Sequence, residues 1–148
     1  MGKISVTEML RRVESLTLPV LQEEVRKVVQ RSPALIAEKV NEYKRGENPD
    51  GSRIGYYRNR GYRNFKIGIN PLAKGTVDLI FTGQFTRGLF VESKGRGMFT
   101  FDSTDDKTGM LANKYGNDIF GLNQKRWEQQ QVLLAPQIVK FINSVIHR

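Results

Sequence analysis

The stretch from Thr76 to Asn123 constrains the fold most, because it holds the clearest strand candidates and the one good hairpin signal. Leu89, Phe90 and Val91 lie in a run from Gln84 to Ser93, and Met98-Phe99-Thr100-Phe101-Asp102-Ser103 follows. Lys94-Gly95-Arg96-Gly97 joins them, and two apolar runs linked by a short glycine-bearing turn read as a β-hairpin. Val77 to Phe81 is a further short apolar run, interrupted at Asp78 and closed by Thr82-Gly83, and it reads as another strand. The expected sheet is small and mostly antiparallel, and it spans residues 76–103.

Helical patterns flank it. Ser5-Val6-Thr7-Glu8 has the form of a capping box, and Met9, Val13 and Leu16 then recur at helical spacing until Thr17-Leu18-Pro19 interrupts them. Leu21, Val25, Val28 and Val29 restart the pattern. Ser32-Pro33 suits the cap and first position of a third helix, with Ile36, Val40 and Tyr43 as its apolar stripe and Gly46 just past its end. Beyond the sheet, the acidic turn from Asp102 to Lys107 is expected to cap a helix running to Tyr115, and Gly116 ends it. Asn123 then caps a long C-terminal helix with Trp127, Leu134, Ile138, Phe141, Ile142 and Val145 inward. Pro136 predicts a kink or a break near Ala135. The class is therefore α+β in a single domain over 1–148: a helical region at 1–46, a basic aromatic loop at 47–75, the sheet, and helices packed on it at 104–148.

A chain of 148 residues suits one core, and no run reaches the roughly 18 apolar residues of a membrane span. The N-terminus turns polar at once, so the expectation is a soluble protein made in a cytoplasm, with no membrane partner. No cysteine is present and His147 is the only histidine, which removes thiolate and multi-histidine metal sites and, from its place beside Arg148, argues against a histidine-based triad. No phosphate-binding loop, dinucleotide fingerprint or nucleophile elbow occurs, so no cofactor is expected. The net charge of +9 points to an anionic partner without saying which kind.

That charge concentrates in 47–75, where Asn48-Pro49-Asp50-Gly51 makes a turn and basic residues alternate with aromatic ones. The candidate partner-binding residues are Arg53, Tyr56, Tyr57, Arg58, Arg60, Tyr62, Arg63 and Lys66. Contact with a protein partner ranks first for such a loop, direct nucleic-acid contact second, and a merely solvated loop last. A nuclease reading competes, since Asp78 with Glu92-Ser93-Lys94 matches the spare D…E-x-K core of the PD-(D/E)xK nucleases. Two carboxylates on neighbouring strands would hold Mg²⁺ and Lys94 would activate water. Against it stand the looseness of the pattern and the Gly95-Arg96-Gly97 turn, where that family continues into a helix. Glu92 and Lys94 then read as an outward surface pair.

The order of the motifs resembles the phage virion-morphogenesis, or tail-completion, family. The matching elements are the turn Asn48-Pro49-Asp50-Gly51-Ser52, then Ile80-Phe81-Thr82-Gly83, a hairpin, a helix ending at Gly116, the apolar Phe120-Gly121-Leu122, and the helix from Asn123 onward. Ile54-Gly55-Tyr56 stands where that family often carries a tryptophan. The resemblance implies a non-enzymatic structural protein of a tailed bacteriophage or prophage, acting at the neck or as a tail terminator. It implies an oligomeric ring around the DNA channel, with other copies of the chain and portal, adaptor or tail proteins as partners. Any contact with DNA in the channel is expected to be non-specific. The expected location is the virion, and the host cytoplasm during assembly.

Overall fold

A computed structural model describes residues 5–80, 83–95 and 98–147. Its class is the expected α+β, with helices around a small two-stranded antiparallel sheet. In chain order the elements are α1 (Val6–Glu14), α2 (Leu18–Gln30), α3 (Pro33–Lys44), α4 (Arg60–Ile69), α5 (Gln84–Arg87), β1 (Leu89–Gly95), β2 (Met98–Ser103), α6 (Thr108–Tyr115) and α7 (Gln124–Ile146). Single 3-10 turns lie at Pro71–Ala73 and Asn117–Phe120.

α1 and α3 start where their caps predict, whereas the acidic turn before α6 gives that helix no side-chain cap. The Ser5 hydroxyl accepts from the Glu8 amide at 3.1 Å and the Ser32 hydroxyl from the Leu35 amide at 3.2 Å. Pro19 and Pro33 sit in the first turns of α2 and α3, where a missing N–H leaves no helix bond unmade. The Glu8 carboxylate turns to Arg11 and Arg12, and these guanidiniums hold its pKa down to about 2.

The hairpin pairs Leu89 with Ser103, Val91 with Phe101 and Ser93 with Phe99, with a bulge between Ser93 and Gly95. Leu89, Val91 and Phe101 face the core, where α2 and α3 cover β1. The Arg96 and Gly97 assigned to its turn lie outside the described residues. The strand expected at Val77 to Phe81 does not form. Thr76 makes one isolated bridge with Tyr56, and Leu79 then takes a φ of 59°, which ends any extended run. Phe81 and Thr82 are outside the described residues. Among the described residues the sheet is the hairpin alone, and the rest of the core comes from helices together with Ile54, Val77 and Ile119 from the segments between them.

Two further expectations change. The basic stretch carries a helix, α4, at its centre, capped by the Asn59 side chain, which accepts from the Tyr62 amide at 2.8 Å. Pro136 does not divide α7, which runs unbroken past it. The Val132 carbonyl loses its helical donor there, but Val132 is 73% exposed, so water can replace that bond.

A buried carboxylate joins the two ends of the fold. Glu42 on α3 is fully buried and accepts from Lys39 Nζ at 2.9 Å, from the Asn123 amide at 3.1 Å and from Arg126 at 3.2 Å. Tyr43 beside it donates to the Ile119 carbonyl at 2.5 Å, and burial pushes its phenol pKa up. The turn at Asn48–Ser52 closes onto the same place. The Asn123 side chain donates to the Pro49 carbonyl at 2.9 Å, and a Cβ on Gly121 would come within 3.0 Å of the Pro49 ring. Gly46 is needed for a different close approach, since its φ is 69° and a Cβ there would meet Thr76 Oγ1 at 2.6 Å. Two motifs some seventy residues apart, Asn48–Ser52 and Phe120–Leu122, are thus one contact.

Burial holds the Lys39 ammonium below its ordinary pKa, against the pull of Glu42. The two partners should therefore respond unequally to removal. Glu42→Ala leaves Lys39, the Asn123 amide and the inner face of Arg126 without their acceptor and should lose about 3–5 kcal/mol. Lys39→Met removes a poorly solvated cation at similar volume and should lose less than about 1.5 kcal/mol. Urea denaturation measures both, and equal losses would contradict this account.

Candidate partner-binding surface

Only one residue of α4 is buried, and it is a lysine. Lys66 points into the body of the protein, 2% exposed, and its ammonium lies 2.7 Å from Asp78, itself 1% exposed. The same carboxylate accepts from Asn70 Nδ2 at 2.9 Å and from the Ile80 amide at 3.2 Å. Asn70 ties on further, donating to the Lys44 carbonyl at the end of α3 at 2.7 Å. A buried pair with its remaining lone pairs satisfied gives fixed geometry, and here it fixes how α4 sits on the fold.

The candidate residues separate into two groups on this frame. Lys66, expected to face a partner, turns inward to Asp78 instead, while Arg53 is half-buried and donates to the Arg45 carbonyl at 2.6 Å. Tyr56 (76% exposed), Arg58, Arg60, Tyr62 and Arg63 are outward. Tyr57 lies between these groups, half-buried and edge-on to Tyr62 with ring centroids 4.9 Å apart. Burial first, and the Asp78 charge second, raise its phenol pKa. Tyr62 and Phe65 continue the aromatic row at 6.0 Å.

Between α4 and α6 lies a cavity of about 420 Å³. Tyr57, Arg58 and Tyr62 line one side, Lys107, Leu111, Lys114 and Tyr115 the other, and the Lys66–Asp78 pair and Asp105 complete it. The α6 side was not among the candidates. Its signal is nevertheless present in the sequence, since Lys107, Leu111 and Lys114 recur at the spacing of one helical face. The site offers three exposed cations, and one of its two carboxylates is already neutralised by Lys66.

The nuclease constellation is not assembled. Asp78 is engaged by Lys66, Asn70 and Ile80 and is not on a strand, whereas Glu92 and Lys94 pair with each other at 3.1 Å on the outer face of β1. They line a separate hollow with Thr100, Asp102 and Asn117. Among the described residues no group of three or more His, Cys, Asp or Glu could hold a metal ion, and no helix is long and apolar enough to cross a membrane.

Comparisons with protein-family models, with curated proteins and with solved structures return no match.

Asp78→Ala strands a buried ammonium and should lose about 3–5 kcal/mol, with faster amide exchange across α4. Pairing Asp78→Asn with Lys66→Met keeps the acceptor for Asn70 and removes the charge, so it should recover most of that loss. Glu92→Gln with Lys94→Met should change stability by less than about 1 kcal/mol. Denaturant titration with exchange mass spectrometry reads all three, and an unperturbed α4 in Asp78→Ala would contradict the anchoring role.

Proposed function

We propose that this chain is a structural protein of a tailed phage or prophage virion, acting in head–tail joining or tail completion as one copy in a ring around the DNA channel. The ordered motif series supports this reading, and the unburied apolar surface carries it. Among the described residues, exposed large apolar side chains outnumber buried ones. α1 buries no residue, although Val6, Met9, Leu10 and Val13 fall at the spacing of one helical face. α7 likewise leaves Val132, Leu133 and Val139 in solvent. An apolar hollow lined by Val25, Val28, Phe99, Trp127 and Ile138 opens beside them.

Apolar faces of this extent mark surfaces that partners cover. Two different exposed faces on one chain are what a head-to-tail interface requires, and such an interface gives a ring where its rotation closes. The basic, aromatic surface of α4 supplies a further contact for an acidic neighbour or for passing DNA. No catalytic step belongs to this function.

Leu10 and Val13 are exposed, so Leu10→Asp with Val13→Asp should shift stability by about 0.5 kcal/mol or less. The variant should nonetheless fail in complementation, leaving heads and tails unjoined in electron micrographs. Glu92→Gln with Lys94→Met should give joined particles. Normal assembly by the first variant would refute the proposal. So would Mg²⁺-dependent DNA cutting by the purified protein that Glu92→Gln with Lys94→Met abolishes.

A further inference from the structure

We infer that the cavity between α4 and α6 is a docking site for an acidic peptide segment of a partner protein. This rests on the reading of the α4 surface as a contact surface, but not on ring formation. Charge gives the sign of the occupant. Arg58, Lys107 and Lys114 line the cavity and are exposed, and no ion pair joins any of them to a carboxylate within the described residues. Lys114 Nζ stands 5.3 Å from the Tyr115 ring centroid, within cation–π range, so its charge is placed at the cavity wall. The Lys66–Asp78 pair at the buried end is internally neutral, which leaves Asp105 as the one unneutralised carboxylate.

Shape and donor pattern distinguish a peptide from a nucleic acid. A volume of about 420 Å³ accepts a few side chains, whereas a nucleic-acid backbone needs an open groove that follows successive phosphates. The Tyr57 and Tyr62 rings stand at 85° to each other, so they do not form a parallel pair on which successive bases could stack. Asp105 adds a chemical criterion. A peptide brings backbone N–H donors to that carboxylate as well as acidic side chains to the cations, while a phosphodiester backbone brings acceptors alone. Arg58 can take a peptide carboxylate through two parallel N–H bonds, with the lysines as point charges beside it.

The test measures fluorescence anisotropy with three labelled probes at about 50 mM salt, where surface charge is only partly screened. They are a short peptide of alternating glutamate and glycine, the same peptide with glutamine, and a short oligothymidylate. The glutamate peptide should bind, the glutamine peptide should not, and the oligothymidylate should bind more weakly. Arg58→Ala and Lys107→Ala with Lys114→Ala should each weaken peptide binding about tenfold or more, as expected for loss of a charge-assisted contact. Lys140→Ala, on the separate α2–α7 hollow, should leave it unchanged. Circular dichroism confirms that each variant is folded. No binding of the glutamate peptide would overturn the inference. Equal weakening by Lys140→Ala, which marks general charge attraction, would do the same, as would tighter Arg58-dependent binding of the oligothymidylate. Self-association is read separately by native mass spectrometry, so failure of the peptide site and failure of ring assembly are distinguishable.

Discussion

The Glu42 carboxylate is the contact on which the architecture depends. A two-stranded hairpin is marginal by itself, so the fold stands only if helices distant in sequence are held against it. Glu42 does this from α3, which covers β1, by accepting from Asn123 and Arg126 at the start of α7. Arg126 also reaches Glu47 at 3.4 Å, so the charge network continues into the turn that closes on Gly121. Ordinary apolar packing between α2, α3, α7 and the sheet then fills the space this geometry defines. Removing the carboxylate would leave several desolvated donors in one place, a larger penalty than the loss of any one apolar contact nearby.

A second buried pair repeats the principle on the functional side. Lys66 and Asp78 fasten α4, and with it the row of exposed arginines and aromatic rings, onto a segment that belongs to no regular element. This explains why so basic a chain is not basic throughout. Lys39, Lys66, Arg53 and Arg126 direct their charge into the structure, while Arg58, Arg60, Arg63, Lys107 and Lys114 display theirs. The outward cations and the exposed apolar residues of α1 and α7 are the surface on which the proposed assembly role rests.

α1, α3 and α7 were legible from their side-chain caps and apolar spacing, and the hairpin from its alternating apolar residues. Val29 and Tyr43 obey the 3.6-residue period, although on α3 Leu35 is buried more fully than the expected Ile36 and Val40, and Leu89, Val91 and Phe101 obey the period of two. Two of the failures, at α4 and at Asp78, share a cause: a polar residue in an inward position. α4 escaped notice because its single buried position is Lys66 and its two glycines, Gly61 and Gly68, resemble loop signals. Asp78 read as an interruption in a strand, or as a metal ligand, because the lysine that claims it lies twelve residues earlier on another element. Of the kink or break expected at Pro136, the break does not occur, and Leu134 and Val145 are buried on either side of it. Within the candidate surface, the α4 residues were legible from composition. The α6 half required the tertiary contact that brings Lys107 and Lys114 across from Arg58.

Quantitative mass spectrometry of purified tailed particles, from cells that carry the gene, tests the assembly role most directly. The account predicts that the chain is present in multiple equivalent copies per particle and stays bound through a high-salt wash. Its absence from particles that are otherwise complete and infectious would contradict the account.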